Sequence, residues 1–128
     1  MNMREFGLSW GILLIGVFMN VLGIYTVKVK INALGAISFA SVSSFFSYFA
    51  TLLKSPVALA GALAVILAPI PYAIAISRMQ ISTAYPVSIA LTFLLLLPLS
   101  ILFLGETMTI AKSIAIVMIL ASLFLLYR

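Results

Sequence analysis

The strongest constraint on this chain is the spacing of its charges. Seven Lys or Arg and two Glu carry all the formal charge in 128 residues. Between them lie uncharged apolar runs from Phe6 to Val27, Pro56 to Ser77 and Ile81 to Gly105. A fourth run, Thr109 to Tyr127, carries only Lys112, placed in its first turn where a long side chain reaches the interface. A helix needs ~20 apolar residues to cross ~30 Å of hydrocarbon. Hydrophobic residues make up 66% of the chain and charged residues 7%, too little polar surface to cover a soluble domain. We therefore expect an all-α integral membrane protein of the cell inner membrane. It forms a single domain with four transmembrane helices at about 6–27, 56–77, 81–105 and 109–127. The first run is too long for a cleaved signal, and no small-residue cleavage site follows it. Short connections predict antiparallel neighbours.

The stretch between Asn32 and Lys54 differs. On a helix, Val42, Phe45, Phe46, Phe49, Leu52 and Leu53 share one face. Ser43, Ser44, Ser47, Tyr48, Thr51 and Lys54 share the other. This pattern predicts an amphipathic helix at about 36–54 lying in the membrane interface, between the first and second spans. A fifth span is the alternative, because no charge lies between Ile31 and Leu53.

With four spans, Arg4, Arg78 and Arg128 fall on one side and Lys28, Lys30, Lys54 and Lys112 on the other. The positive-inside rule orients a chain only through a clear difference. Either another feature sets the topology, or the chain inserts both ways and forms an antiparallel homodimer.

Composition also excludes functions. There is no Asp, His or Cys, and the two acids, Glu5 and Glu106, lie far apart in sequence. No metal-ligand cluster, nucleophilic triad or carboxylate pair is available, so neither an enzyme nor a metal or other cofactor is expected. Seven bases spread along an apolar chain are not a nucleic-acid patch. They suit phosphate head groups or an anionic ligand.

No ionisable residue lies within a span away from its ends. The polar groups that do enter are uncharged. Asn20 can bond a substrate or glue helices. Lys28 can hold a phosphate or anchor the interface. Pro69 and Pro71 remove two helix hydrogen bonds at mid-span, just before Tyr72, and so kink the helix for packing or to shape a cavity. Tyr85, Ser88 and Thr92 share a face of the third span. That face turns toward protein or a cavity, because unsatisfied polar groups in hydrocarbon are costly. Pro86 lies near the helix start, Gly105 is a candidate C-cap, and Pro98 adds a possible kink. In the fourth span Ala115 and Ser122, two turns apart, are the candidate helix-packing residues.

Taken in order, these motifs resemble the small four-span members of the drug/metabolite transporter superfamily, over nearly the whole chain. The resemblance rests on Gly23 and Lys28, the amphipathic segment, Ala84-Tyr85-Pro86, and Phe103-Leu104-Gly105-Glu106 before a Thr-rich turn. Two branches are similar. In the small multidrug resistance family, exporters of cationic compounds against protons, a first-span Glu would fall at Asn20 and a third-helix Trp at Ser88. The Gly residues of its dimer motif would fall at Ala115 and Ser122. An amide cannot release a proton, so Asn20 departs from that activity. The aminoarabinose-phosphoundecaprenol flippase subunits also lack the Glu and share the Ala-Tyr-Pro start. That resemblance implies movement of a polyprenyl-phosphate-linked sugar across the inner membrane.

The expected function is transport or flipping of a small polar or lipid-linked anionic substrate by a homodimer or heterodimer. Lys28 and Arg78 are expected to hold phosphate, and Asn20, Tyr72, Tyr85 and Ser88 the polar head. The alternatives are a multidrug-type exporter, or a non-transporting membrane subunit of a larger complex.

Overall fold

A computed structural model describes residues 3–37 and 41–126. Its described residues form six helices and no strand: α1 (Met3–Leu34), α2 (Val42–Lys54), α3 (Pro56–Leu67), α4 (Pro69–Ile76), α5 (Ile81–Leu104) and α6 (Ile110–Leu126). Three apolar segments are long enough to cross a membrane: Arg4–Leu34, Pro56–Ile76 across the α3–α4 break, and Ile81–Leu104. The fourth, α6, has 17 described residues, the short end of the spanning range. Tyr127 and Arg128 lie outside the described residues.

Helix α1 runs past the end of its apolar stretch. The sequence predicts a span ending at Val27, but the helix continues through Lys28 and Lys30 to Leu34. Lysine is a good helix former, so the charges end the apolar run without ending the helix. At 32 residues α1 is about 48 Å long. It stops where Gly35 adopts φ +86°, a conformation that costs glycine little.

Helix α2 is shorter than predicted. Residues 36–37 are not helical, 38–40 lie outside the described residues, and the helix begins at Val42. Its start is set by a reciprocal cap. Ser41 Oγ accepts from the Ser44 backbone N–H (3.1 Å), and Ser44 Oγ accepts from the Ser41 N–H (3.2 Å). Phe45 packs against Phe49 with ring centroids 4.8 Å apart and the rings tilted by 47°. Tyr48 Oη donates to the Gly35 carbonyl (2.7 Å), tying α2 back to the end of α1. Leu52 is buried, while Val42 and Phe46 stay exposed.

The predicted second span is two helices. Ser55 occupies the cap position with Pro56 first in the helix, yet its side chain makes no capping bond. The break falls at Ala68, and Pro69 starts α4. Pro69 and Pro71 have no N–H, so the carbonyls of Val65 and Leu67 lose their usual partners four residues on. The next bond, Tyr72 N–H to Ala68 O, is stretched to 3.5 Å. Helix α5 passes through both Pro86 and Pro98 without breaking. Pro86 is thus interior, five residues past the start at Ile81, rather than a helix-start proline. Gly105 closes α5 in the left-handed conformation (φ +67°), as expected from its place in sequence.

Helix α1 is central. It packs against α3 and α4 on one side and α5 on another; α2 rests on α3 and α1, and α6 touches α5 alone. Leu13, Val17 and Val21, four apart on α1, form the core with Ala75 of α4 and Ala84 of α5. The α1–α3 crossing is set by glycines. A Cβ on Gly23 would lie 2.6 Å from the Gly61 carbonyl oxygen, so only glycine permits this approach. Large apolar side chains remain exposed over the outer surface, among them Leu102, Ile110 and Phe124 at 75%, 82% and 70%. A soluble monomer rarely shows apolar surface on that scale; lipid-facing helices do.

Candidate functional site

The antiparallel register of α1 against α3 and α4 places the polar residues in depth. Gly16 faces Ala68 and Tyr72, and Gly23 faces Gly61 and Val65. The α3–α4 break therefore lies level with Gly16, and Asn20 about one turn along α1 from it. Helices α3 and α5 make no close backbone approach among the described residues, and α4 touches α5 only lightly. The two walls splay apart over α1 and leave a wedge.

That wedge is a cavity of about 540 Å³, with Gly16, Val17 and Asn20 from α1 as its floor. Val65, Ala68, Pro69 and Tyr72 line one wall; Tyr85, Ser88 and Thr92 line the other. Four of the six residues singled out from sequence, Asn20, Tyr72, Tyr85 and Ser88, thus converge on one space. Helical spacing made this legible: Gly16 and Asn20 lie four apart, and Tyr85, Ser88 and Thr92 three and four apart.

Hydrogen bonding sets what the cavity offers. Ser88 Oγ donates to the Tyr85 carbonyl (2.8 Å), and Thr92 Oγ1 to the Ser88 carbonyl (2.8 Å). Both hydroxyls have used their single proton on their own helix, so they present lone pairs to a ligand. Tyr72 Oη is buried without a hydrogen-bond partner. No hydrogen bond joins the Asn20 amide to another described residue, and that group can both donate and accept. Buried polar groups usually find partners, and the Tyr72 hydroxyl is an exception within the wall of this cavity. No charged side chain lines the cavity. It suits the uncharged, hydroxyl- or amide-bearing part of a molecule.

Lys28 lies elsewhere. It lines a second cavity, of about 390 Å³, with Tyr25 of α1, Ser100 and Leu104 of α5, Glu106, and Lys112 of α6. Phe93 and Leu96 line both cavities, so the two share a wall along the α1–α5 groove. Tyr25 also meets Phe103 edge-on, with ring centroids 6.1 Å apart.

Arg78 lies in the α4–α5 turn, exposed, and lines neither cavity. The antiparallel register puts it roughly 25–30 Å along the bundle axis from Lys28. The two expected phosphate holders are not brought together. Glu106 and Lys112 share the second cavity with Lys28; sequence reasoning put Lys112 on the same side of the membrane but did not join the three. Glu106 and Lys112 lie some eighty residues on, and local spacing carries no signal for that meeting.

The expected packing pair on α6 is split. Ala115 is half-buried, on the same ridge as Lys112, Ile119 and Leu123. Ser122 is exposed and donates to its own helix at Met118 O (2.8 Å). Groups of three or more His, Cys, Asp or Glu placed to hold a metal are absent among the described residues.

The fold and cavity define a class: an all-helical chain with three apolar segments long enough to cross a membrane, and a largely apolar pocket between them whose walls include Asn20, Tyr72, Tyr85 and Ser88. Beyond that class, comparison with family models, curated proteins and solved structures finds no significant match.

Proposed function

We propose that this protein is a multi-pass inner-membrane transporter or flippase of four spans with α2 as an interfacial helix. The cavity between α1, α4 and α5 receives the polar, uncharged portion of its substrate. One observation carries this reading: Asn20, Tyr72, Tyr85 and Ser88, from three helices, line one cavity of an otherwise apolar bundle. Such a cavity is costly in hydrocarbon unless something polar uses it. The splayed α4 and α5 walls give the substrate a lateral way in from lipid, and its apolar part can stay there. A lipid-linked sugar is the substrate class that best fits a pocket with a few hydroxyl and amide groups set in mainly apolar walls. Four spans are few to enclose a pathway. Helix α6, packed only on α5, leaves its outer face for a second copy or a partner subunit.

The cation-exporter alternative lacks a proton site: the resemblance puts that family's Glu at Asn20, and an amide cannot release a proton. The test is reconstitution into vesicles with a fluorescent lipid-linked sugar. Asn20→Leu, Tyr85→Phe and Ser88→Ala should each slow transfer between leaflets at normal expression. Transfer that survives all three changes overturns the assignment of the cavity. Uptake of a drug cation driven by a pH gradient would replace it with the exporter reading.

A further inference from the structure

The second cavity holds the only mixed-charge cluster lining a described cavity. Lys28, Lys112 and Glu106 line one space, yet Glu106 forms no ion pair with either lysine. Lys28 is half-buried and makes no hydrogen bond to another described residue. Lys112 Nζ donates once, to the Thr107 carbonyl (2.9 Å), which leaves two of its three protons free. An anion alone would gain two ammonium groups but meet the Glu106 carboxylate. A cation alone would face two lysines. A group carrying a phosphate beside a primary amine satisfies all three.

We propose that this cavity binds a zwitterionic phosphate–amine group, with the phosphate on Lys28 and Lys112 and the amine on Glu106. The rest of the cavity is apolar, with Ile24, Phe93, Leu96 and Leu97 running from the charged mouth into the α1–α5 groove. On the four-span reading proposed above, on which this inference rests for its depth, the mouth lies at the head-group layer, where Lys28 ends the apolar run. The chemistry occurs in a phosphoethanolamine lipid head group and in free phosphoethanolamine, and the two are separable by experiment.

Detergent-purified full-length protein, stripped of lipid, is mixed with equal phosphatidylethanolamine and phosphatidylglycerol, and bound lipid is counted by native mass spectrometry. The wild type should retain the ethanolamine lipid about tenfold better, the order expected for one charge-assisted hydrogen bond. Glu106→Gln should erase that preference while Lys28→Gln weakens both lipids. Glu106 is exposed in a loop, and an unchanged helical circular-dichroism spectrum shows that its variant folds. Displacement of the lipid by millimolar free phosphoethanolamine shows that the head group suffices; retention against it shows that the chain in the groove is needed. Equal retention of the two lipids by the wild type, or a preference unaltered in Glu106→Gln, overturns the proposal. The readout is binding, so a failed transfer assay with this preference intact refutes the transport reading alone.

Discussion

Replacing Gly23 by Ala should loosen the protein more than its single methyl group suggests. The new Cβ would lie 2.6 Å from the Gly61 carbonyl oxygen, 2.6 Å from Val65 Cγ2 and 3.0 Å from the Val65 backbone nitrogen. The valine methyl can rotate away; the two backbone atoms cannot. To reach ordinary contact distance, α1 and α3 must part by about 0.8 Å. Overpacking of this kind costs ~1–3 kcal/mol, against ~0.5–1 kcal/mol returned by a better helix former. The net expectation is about 1–2 kcal/mol of destabilisation. Gly7 and Gly11 are internal controls on the same helix. A Cβ at either meets nothing within 4 Å, so Ala there should be neutral or stabilising. Gly61→Ala meets Thr26 Oγ1, which is held by hydrogen bonds to Leu22 O (2.9 Å) and Gly23 O (3.0 Å). Adding Thr26→Ala should therefore recover part of the loss, with a coupling of about 1 kcal/mol. Reversible unfolding in mixed detergent micelles, followed by circular dichroism, measures the five single variants and the Gly61→Ala/Thr26→Ala double. If Gly23→Ala is as benign as Gly11→Ala, or Gly61→Ala and Thr26→Ala simply add, the close crossing is not what holds α1 to α3.

Three further outcomes are expected. Replacing both Pro69 and Pro71 by Ala restores N–H donors to the Val65 and Leu67 carbonyls, straightens α3 into α4 and narrows the wedge. Transfer activity should fall while the unfolding midpoint stays level or rises; a fall in both would mean that the break serves packing alone. Tyr48→Phe removes the bond to Gly35 O. At about 1 kcal/mol, α2 amides should exchange roughly fivefold faster with the bundle unchanged, and unaltered exchange would show that this tether is idle. The chain has no native Cys, so Asn2→Cys, Lys54→Cys and Arg128→Cys report topology without background. Four spans require positions 2 and 128 to label from one side and position 54 from the other. Ends that label from opposite sides would mean an odd number of crossings.

Much of the site was readable because helical periodicity is local. Tyr85, Ser88 and Thr92 share a face through the geometry of their own backbone, whatever packs against them. Asn20 stood out as an amide in an apolar run, and Tyr72 as the residue following two prolines. The apolar runs themselves determined an all-helical chain with segments of membrane-crossing length, and Gly105 marked the end of α5. Charges were a poorer guide to helix ends, since Lys28 and Lys30 continue α1 while leaving its apolar stretch.

What required tertiary structure was every relation between helices. The proline pair predicts a kink, but only packing of Gly16 against Ala68 and Tyr72 sets that kink within a turn of Asn20. The sequence offered both Lys28 and Arg78 as phosphate holders, although its four-span topology already put them on opposite sides. The antiparallel register keeps them at opposite ends of the bundle, and only packing brings Glu106 and Lys112 into one cavity with Lys28. The physical reason is one of range. Hydrogen bonding and side-chain spacing fix a helix from residues within a turn or two. Helix crossings depend on shape matching between surfaces distant in sequence, as at Gly23 and Gly61, where the missing Cβ atoms matter only because the helices meet there.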